Sequence, residues 1–180
     1  MILPIGQHKN NGFTLIEMLV VMVIVGILTI FSIPYFGGFA NRTKLDSECR
    51  KWMSYANYAR AEAVVNATNY QLTCDLDQQT YALTYQASST DANTQAGQYV
   101  VPGNTWGQVV NVDSSLRMVT IQLDQNSPQQ SGQVVIQFTP EGTTSNVIAT
   151  FQDNEQDTRQ VTITALTGLA QIQSDTTTSS

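Results

Sequence analysis

Residues 13–33, opening at Phe13, form an apolar run in which the only ionisable side chain is Glu17. At about 1.5 Å per residue, a helix of this run is roughly 32 Å long, enough to cross the hydrocarbon core of a bilayer. No other feature limits the fold so strongly, because a helix apolar on every side must be covered all round. Gly26 is tolerated in such a helix, and Pro34 ends or kinks it. Two simple readings are an uncleaved signal anchor and a secretory signal peptide cut near Gly38-Phe39-Ala40. The second fits less well, since an ordinary signal peptide has ~7–15 apolar residues behind a basic start. Here the polar residues before the run hold one lysine, Lys9.

Neither reading accounts for Glu17. An ionised side chain at mid-helix in hydrocarbon costs on the order of 3 kcal/mol. Glu17 lies only about one turn into the run, so a lone monomer can keep it near the headgroups. In a bundle of such helices that escape closes, and the carboxylate needs a cation. Cleavage after Gly12 would supply one, the α-amino group of Phe13, whose reference pKa is about 8. Pairing within a chain or between neighbouring chains is open to it. Pairing between chains rewards correct axial register, because an unpaired charge in a dry interface is costly.

The stretch "GFTLIE" (residues 12–17), heading a run of spanning length, resembles the prepilin signal of the type IV filament superfamily. The resemblance implies that a membrane-embedded prepilin peptidase cuts after Gly12 and N-methylates Phe13. It makes residues 1–12 a leader, 13–34 the transmembrane and assembly helix, and Glu17 the assembly carboxylate. It also sets the C-terminal part in the periplasm. Charge leaves that orientation ambiguous, since Arg42 and Lys44 follow the run as Lys9 precedes it.

Beyond the run, Pro34, Gly37 and Gly38 weaken helix and suggest a joint. Periodicity resumes in "TKLDSECRKWMSYANYARAEAVVNAT". Leu45, Cys49, Trp52, Ala56, Ala59 and Ala63 recur at alternating steps of four and three, one apolar stripe on a helix. Asp46, Glu48, Arg50, Lys51, Arg60 and Glu62 read as its polar face. Residues 35–66 are thus a joint and an amphipathic helix, whose stripe is expected to lie on its own β domain. The stretch "YARAEAVVNATNYQLTCD" resembles the helix end and following strand of the GspH/FimT family of pseudopilins and minor pilins, and "FTPEG" (residues 138–142) matches that family more loosely.

From residue 67 to 173 turn residues punctuate short β-prone runs. "YQLTCD" and "TYALTYQ" flank "LDQQ" as a hairpin, and "ASSTDANTQAGQ" reads as a polar loop. "GQVVNV", "LRMVTIQL", "GQVVIQFTP", "NVIATFQ", "RQVTITAL" and "GLAQIQ" read as later strands. Alternation in Val119–Leu123 and Val161–Thr164 gives each strand one buried face. The expected fold is therefore α+β: a long N-terminal helix, half transmembrane and half amphipathic, on an antiparallel β-sheet or small β-sandwich. "SDTTTSS" (residues 174–180) has no apolar anchor and reads as a disordered tail.

The chain offers little chemistry. Its single His8 lies in the leader, leaving a Ser or Cys nucleophile without a histidine base after processing. Cys49 and Cys74 fit either one disulfide or two buried thiols, and with His8 alone cannot complete a zinc site without carboxylates. Asp153, Glu155 and Asp157 alternate like the front of a calcium loop. They lack its Gly at the sixth position and its distal Glu, so a solvated hairpin tip is the better reading. No cofactor motif is present. Eight Lys plus Arg and a net charge of −6 argue against a nucleic-acid partner. Some minor pilins of the FimT type bind DNA through a basic "GRxR" element. Its counterpart here, Gly168-Leu169-Ala170-Gln171, lacks both arginines.

The lack of such chemistry points to a structural subunit rather than an enzyme, and the resemblance implies a minor pilin or pseudopilin processed by prepilin peptidase and built into a type IV-like filament. The implied partners are the peptidase, other pilins or pseudopilins, an inner-membrane assembly platform and membrane lipid. The implied location is the bacterial inner membrane, single-pass, then a filament across the periplasm. The competing class is a signal-anchored periplasmic binding domain that never polymerises.

Overall fold

The computed structural model describes residues 13–32, 35–88, 95 and 97–173, with side chains throughout these except at 30–41. Gly12 and the leader, Ile33, Pro34, most of the "ASSTDANTQAGQ" loop and the tail from residue 174 lie outside the described residues. Two units emerge, Met1–Phe39 and Ala40–Ser180.

In the first unit, helix α1 (Leu15–Ser32) begins directly after Thr14. The Glu17 N–H donates to the Thr14 hydroxyl at 3.3 Å and to its carbonyl at 3.1 Å. Thr14 and Glu17 thus occupy the two positions of a capping box, and the acidic residue sits in the first turn, where the helix dipole favours it. The Thr29 hydroxyl donates to the Val25 carbonyl at 2.6 Å, so this polar group is satisfied within the helix.

Helix α2 (Tyr35–Val65) carries the second unit's contribution to the core. Gly37 and Gly38, read as a joint, lie inside its bounds. It ends where Ala67 adopts a left-handed φ of 49° and the Thr68 N–H closes onto the Ala63 carbonyl. Every member of the expected stripe, Leu45 to Ala63, is buried at 1% exposure or less. The three alanines leave room for the strands to approach closely, and Trp52 supplies the bulk, meeting Phe151 edge-on at 6.1 Å. The polar face needs one correction. Glu48 is buried, not solvated, because it lies beside Cys49 and Trp52 at the edge of the stripe.

Two antiparallel sheets complete the fold. The first contains β1 (Tyr70–Asp75), β2 (Thr80–Gln86), β3 (Tyr99–Val100), β4 (Val110–Asn111) and β6 (Gln133–Phe138). Its order is β3-β2-β1-β6, with β4 also on β2. The expected hairpin is present, in register from Tyr70 opposite Tyr85 to Asp75 opposite Thr80. Asp75 closes its turn by accepting from the N–H groups of Asp77 (3.0 Å) and Gln78 (2.8 Å). The second sheet runs β5 (Leu116–Leu123), β7 (Val147–Asp153), β8 (Thr158–Ile163), β9 (Ala170–Gln173). Inner residues of both sheets join α2's stripe in one core.

Two strands differ from expectation. "GQVVNV" forms only the short β4, preceded by a 3₁₀ turn (Thr105–Gly107). That turn lays Trp106 flat on Tyr58, centroids 4.4 Å apart, and edge-on to Tyr55 at 4.8 Å. Each such aromatic pair contributes about 0.5–1.5 kcal/mol beyond burial, enough to override a weak strand preference. In β5 the alternation breaks between Met118 and Thr120. This irregularity shifts the inward phase, so Leu116 and Met118 are buried ahead of it and Ile121 after it, while Val119 is only half-buried. The Gln79 side chain spans to this irregular point. Its Oε1 accepts from the Met118 N–H at 2.6 Å and its Nε2 donates to the Met118 carbonyl at 3.1 Å, stitching the first sheet to the second.

Candidate functional site

The features named from the sequence separate into an exposed helix head and a set of structural positions. At the head, Phe13 is 74% exposed, and the apolar residues of α1 from Leu15 to Leu28 are exposed by about half or more on every side. Eighteen residues of helix extend about 27 Å. Among the described residues no helix is both long and apolar enough to cross a membrane. The expected span ran to Ile33, outside them. Thr14 is the capping residue that sequence reading missed at this end, although Thr-x-x-Glu ahead of an apolar run is a recognisable capping signal.

The cysteines sit in the core. Cys49 and Cys74 are free, fully buried thiols, so of the two alternatives the structure carries thiols rather than a bridge. Cys74 accepts a hydrogen bond from Trp52 Nε1 at 3.4 Å. Burial pushes each thiol up to about 12.

Glu48 is the other unexpected group. Its Oε1 accepts from the Tyr81 hydroxyl at 3.1 Å, and Lys51 Nζ lies 3.9 Å from Oε2. Burial raises its pKa, and Lys51 and the tyrosine only partly counter that. The same burial, with the adjacent carboxylate, raises the Tyr81 phenol. The neighbouring thiols of Cys49 and Cys74 are themselves buried and raised in pKa, and the arrangement reads as a core hydrogen bond.

The quoted motif fragments converge in space. Arg60, from "YARAEA", donates from Nε to the carbonyl of Gly142, from "FTPEG", at 3.3 Å. Gly168, at the head of the "GLAQ" stretch, packs on both. A Cβ there would lie 2.5 Å from the Gly142 oxygen and 2.8 Å from Arg60 Cδ, and its φ is +59°. Three distant motif pieces are thus one clasp fixing the end of α2 to two loops.

Asp153, Glu155 and Asp157 form the β7–β8 turn. Asp153 Oδ1 accepts from the N–H groups of Glu155 and Asp157, both at 2.9 Å, and Asp157 pairs with Arg42 at 2.8 Å. Among the described residues no group of three or more His, Cys, Asp or Glu could hold a metal ion.

Comparison with known proteins agrees with this division into head and domain. The profile of the prokaryotic N-terminal methylation motif matches residues 7–33. The profile of the type II transport protein GspH matches residues 48–168, two thirds of the chain. No curated relative matches in sequence. Among solved structures, the minor pseudopilin EpsH from the type II secretion system of Vibrio cholerae is similar at a TM-score of 0.57 and 10% identity, over 74% of this chain and 98% of that one. The type IV minor pilin FimU of Pseudomonas aeruginosa is similar at 0.51 and 17% identity, over 76% of this chain and 92% of that one. At such identities the likeness is one of fold.

Proposed function

The chain belongs to the family of the type II transport protein GspH, and from that premise we propose that it is a minor pseudopilin or minor pilin, a structural subunit of a type IV-like filament. One observation carries the reading. The second unit closes its own core, whereas among the described residues the apolar side chains of α1 from Leu15 to Leu28 are exposed on every side. Such a helix is soluble in lipid or among its own kind, and a filament core supplies the second environment after the membrane supplies the first. In this reading prepilin peptidase cuts after Gly12 and methylates Phe13. The new amino terminus meets Glu17 in the first turn of α1, within its own chain or a neighbour's. Residues 13–34 anchor the precursor in the inner membrane, with the α2–β domain in the periplasm, until an assembly platform extracts it into a secretion pseudopilus or pilus, near the tip. No catalytic role is assigned. DNA capture is disfavoured, because Gly168 serves the clasp and no arginine follows it.

Mass measurement of the processed N-terminus tests the first step. A methylated Phe13 start is expected; a start at Asn41, or an intact Met1, would instead favour a signal peptide or a non-polymerising anchored domain. Replacing Glu17 with Ala should leave the domain folded and remove the chain from sheared filaments. Normal incorporation of that variant would count against the assembly role of the carboxylate.

A further inference from the structure

The two ends of the second sheet are finished differently. At β5, Ile121 exchanges both backbone hydrogen bonds with Gln129, at 3.0 and 2.9 Å, which closes part of that edge. Beyond β9 no described strand pairs. Unpaired amides and carbonyls on a sheet edge are a template for another strand, and proteins commonly blunt them with charge, proline or a bulge. Ala170-Gln171-Ile172-Gln173 carries none of these. The strand is short, so a segment joining it must gain most of its affinity from contacts beside the strand.

Those contacts are available. The Thr164 N–H crosses the sheet to the Leu169 carbonyl at 3.3 Å, whereas the Ala170 N–H turns the other way, to Asn57 Oδ1 on α2 at 3.2 Å. By the alternation of an antiparallel ladder, Gln171 then bonds toward β8 and the Ile172 amide and carbonyl face outward. On that side a groove of about 790 Å³ lies between β9 and α2, floored by Met53, Ala170 and Ile172 and flanked by Asp46, Arg50 and Arg159. A separate, smaller cavity of about 270 Å³ is lined by Thr162, Gln171, Ile172 and Gln173. The chain as a whole is acidic, at −6, yet this groove holds two arginines against one aspartate. Arg159 is engaged by Asp46 at 3.0 Å. Arg50 is exposed and has no ion-pair partner among the described residues.

We propose that the β9 edge receives an extended segment of a neighbouring filament subunit, added as a further strand, with an apolar side chain on Met53 and Ile172 and a carboxylate against Arg50. The proposal rests on the filament reading above. A photo-crosslinking residue at the position of Gln173, in the full chain and in cells assembling the filament, tests it, with incorporation into sheared filaments scored on the same samples. The expected product is a crosslink to another subunit, mapping to an extended stretch that contains Asp or Glu. Arg50→Glu should lower its yield about fivefold, the scale of one charge pair. Ile172→Pro removes an outward amide without breaking the ladder to β8, and should lower the yield as well. An adduct confined to residues 174–180 of the same chain, an adduct to lipid, or a yield unchanged by both variants overturns the proposal while incorporation persists. Failure of the probe-bearing chain to enter filaments at all overturns it together with the filament reading.

Discussion

Replacing Gly168 with Ala isolates the contribution of the clasp between α2 and the two loops. Gly168 has a φ of +59°, and a left-handed alanine costs about 1–2 kcal/mol, partly offset by about 0.4–1 kcal/mol from a stiffer unfolded chain. A Cβ 2.5 Å from the Gly142 oxygen is well inside contact distance and has backbone, not a flexible side-chain tip, in its way. The loop must move, and the bond from Arg60 Nε to that oxygen goes with it, costing about 1 kcal/mol more, with further strain from Arg60 Cδ at 2.8 Å. The sum is about 3 kcal/mol. Gly132 is the matched control, because its φ of +78° imposes the same backbone strain but nothing lies within 4 Å of its would-be Cβ. Gly132→Ala should therefore cost about 1 kcal/mol. At about 4 °C per kcal/mol for a domain of this size, Tm should fall by about 12 °C and about 4 °C respectively. Thermal unfolding of the full chain in detergent micelles, followed by near-ultraviolet circular dichroism, reads both. Equal shifts in the two variants would refute the clasp, since backbone strain alone would then explain Gly168.

Glu48 should make stability depend on pH with an unusual sign for a carboxylate. Burial raises its folded pKa, so its contribution is fully present below the ordinary carboxylate range and is lost as pH rises through the folded pKa. The Tm of Glu48→Gln relative to the unaltered chain should thus increase from about pH 4 to about pH 8, and a flat difference would sink the idea. Both thiols, pushed up to about 12, hold roughly one thiolate in ten thousand at a pH of about 8, so maleimide should label neither Cys49 nor Cys74 in the folded protein and both in denaturant. Gln79→Ala removes both partners of the Met118 backbone and should cost about 2–3 kcal/mol in urea unfolding, with loss under about 0.5 kcal/mol excluding the inter-sheet stitch.

What sequence alone determined was what adjacent residues encode. Period-3.6 spacing from Leu45 to Ala63 identified the buried face of α2, and period-2 runs located most strands, because both signals arise from backbone geometry repeated along a contiguous segment. Glu17 behind Gly12 and Phe13 stood out for a similar reason: a lone charge in an apolar run is visible without knowing any contact. Only the tertiary structure decided which distant pieces meet. Glu48 lies one position from Cys49, and whether that edge of the helix is wet or dry depends on where Tyr81 arrives. The inward phase of β5 turns on one irregular residue, Val119, beside a Met118 whose backbone is bonded by Gln79, 39 positions away. Arg60, Gly142 and Gly168 looked like separate family marks, yet share a single point of contact. That no described strand pairs beyond β9 likewise follows from the order of strands across the sheet, which is set by the energy of the whole packed core rather than by any local pattern.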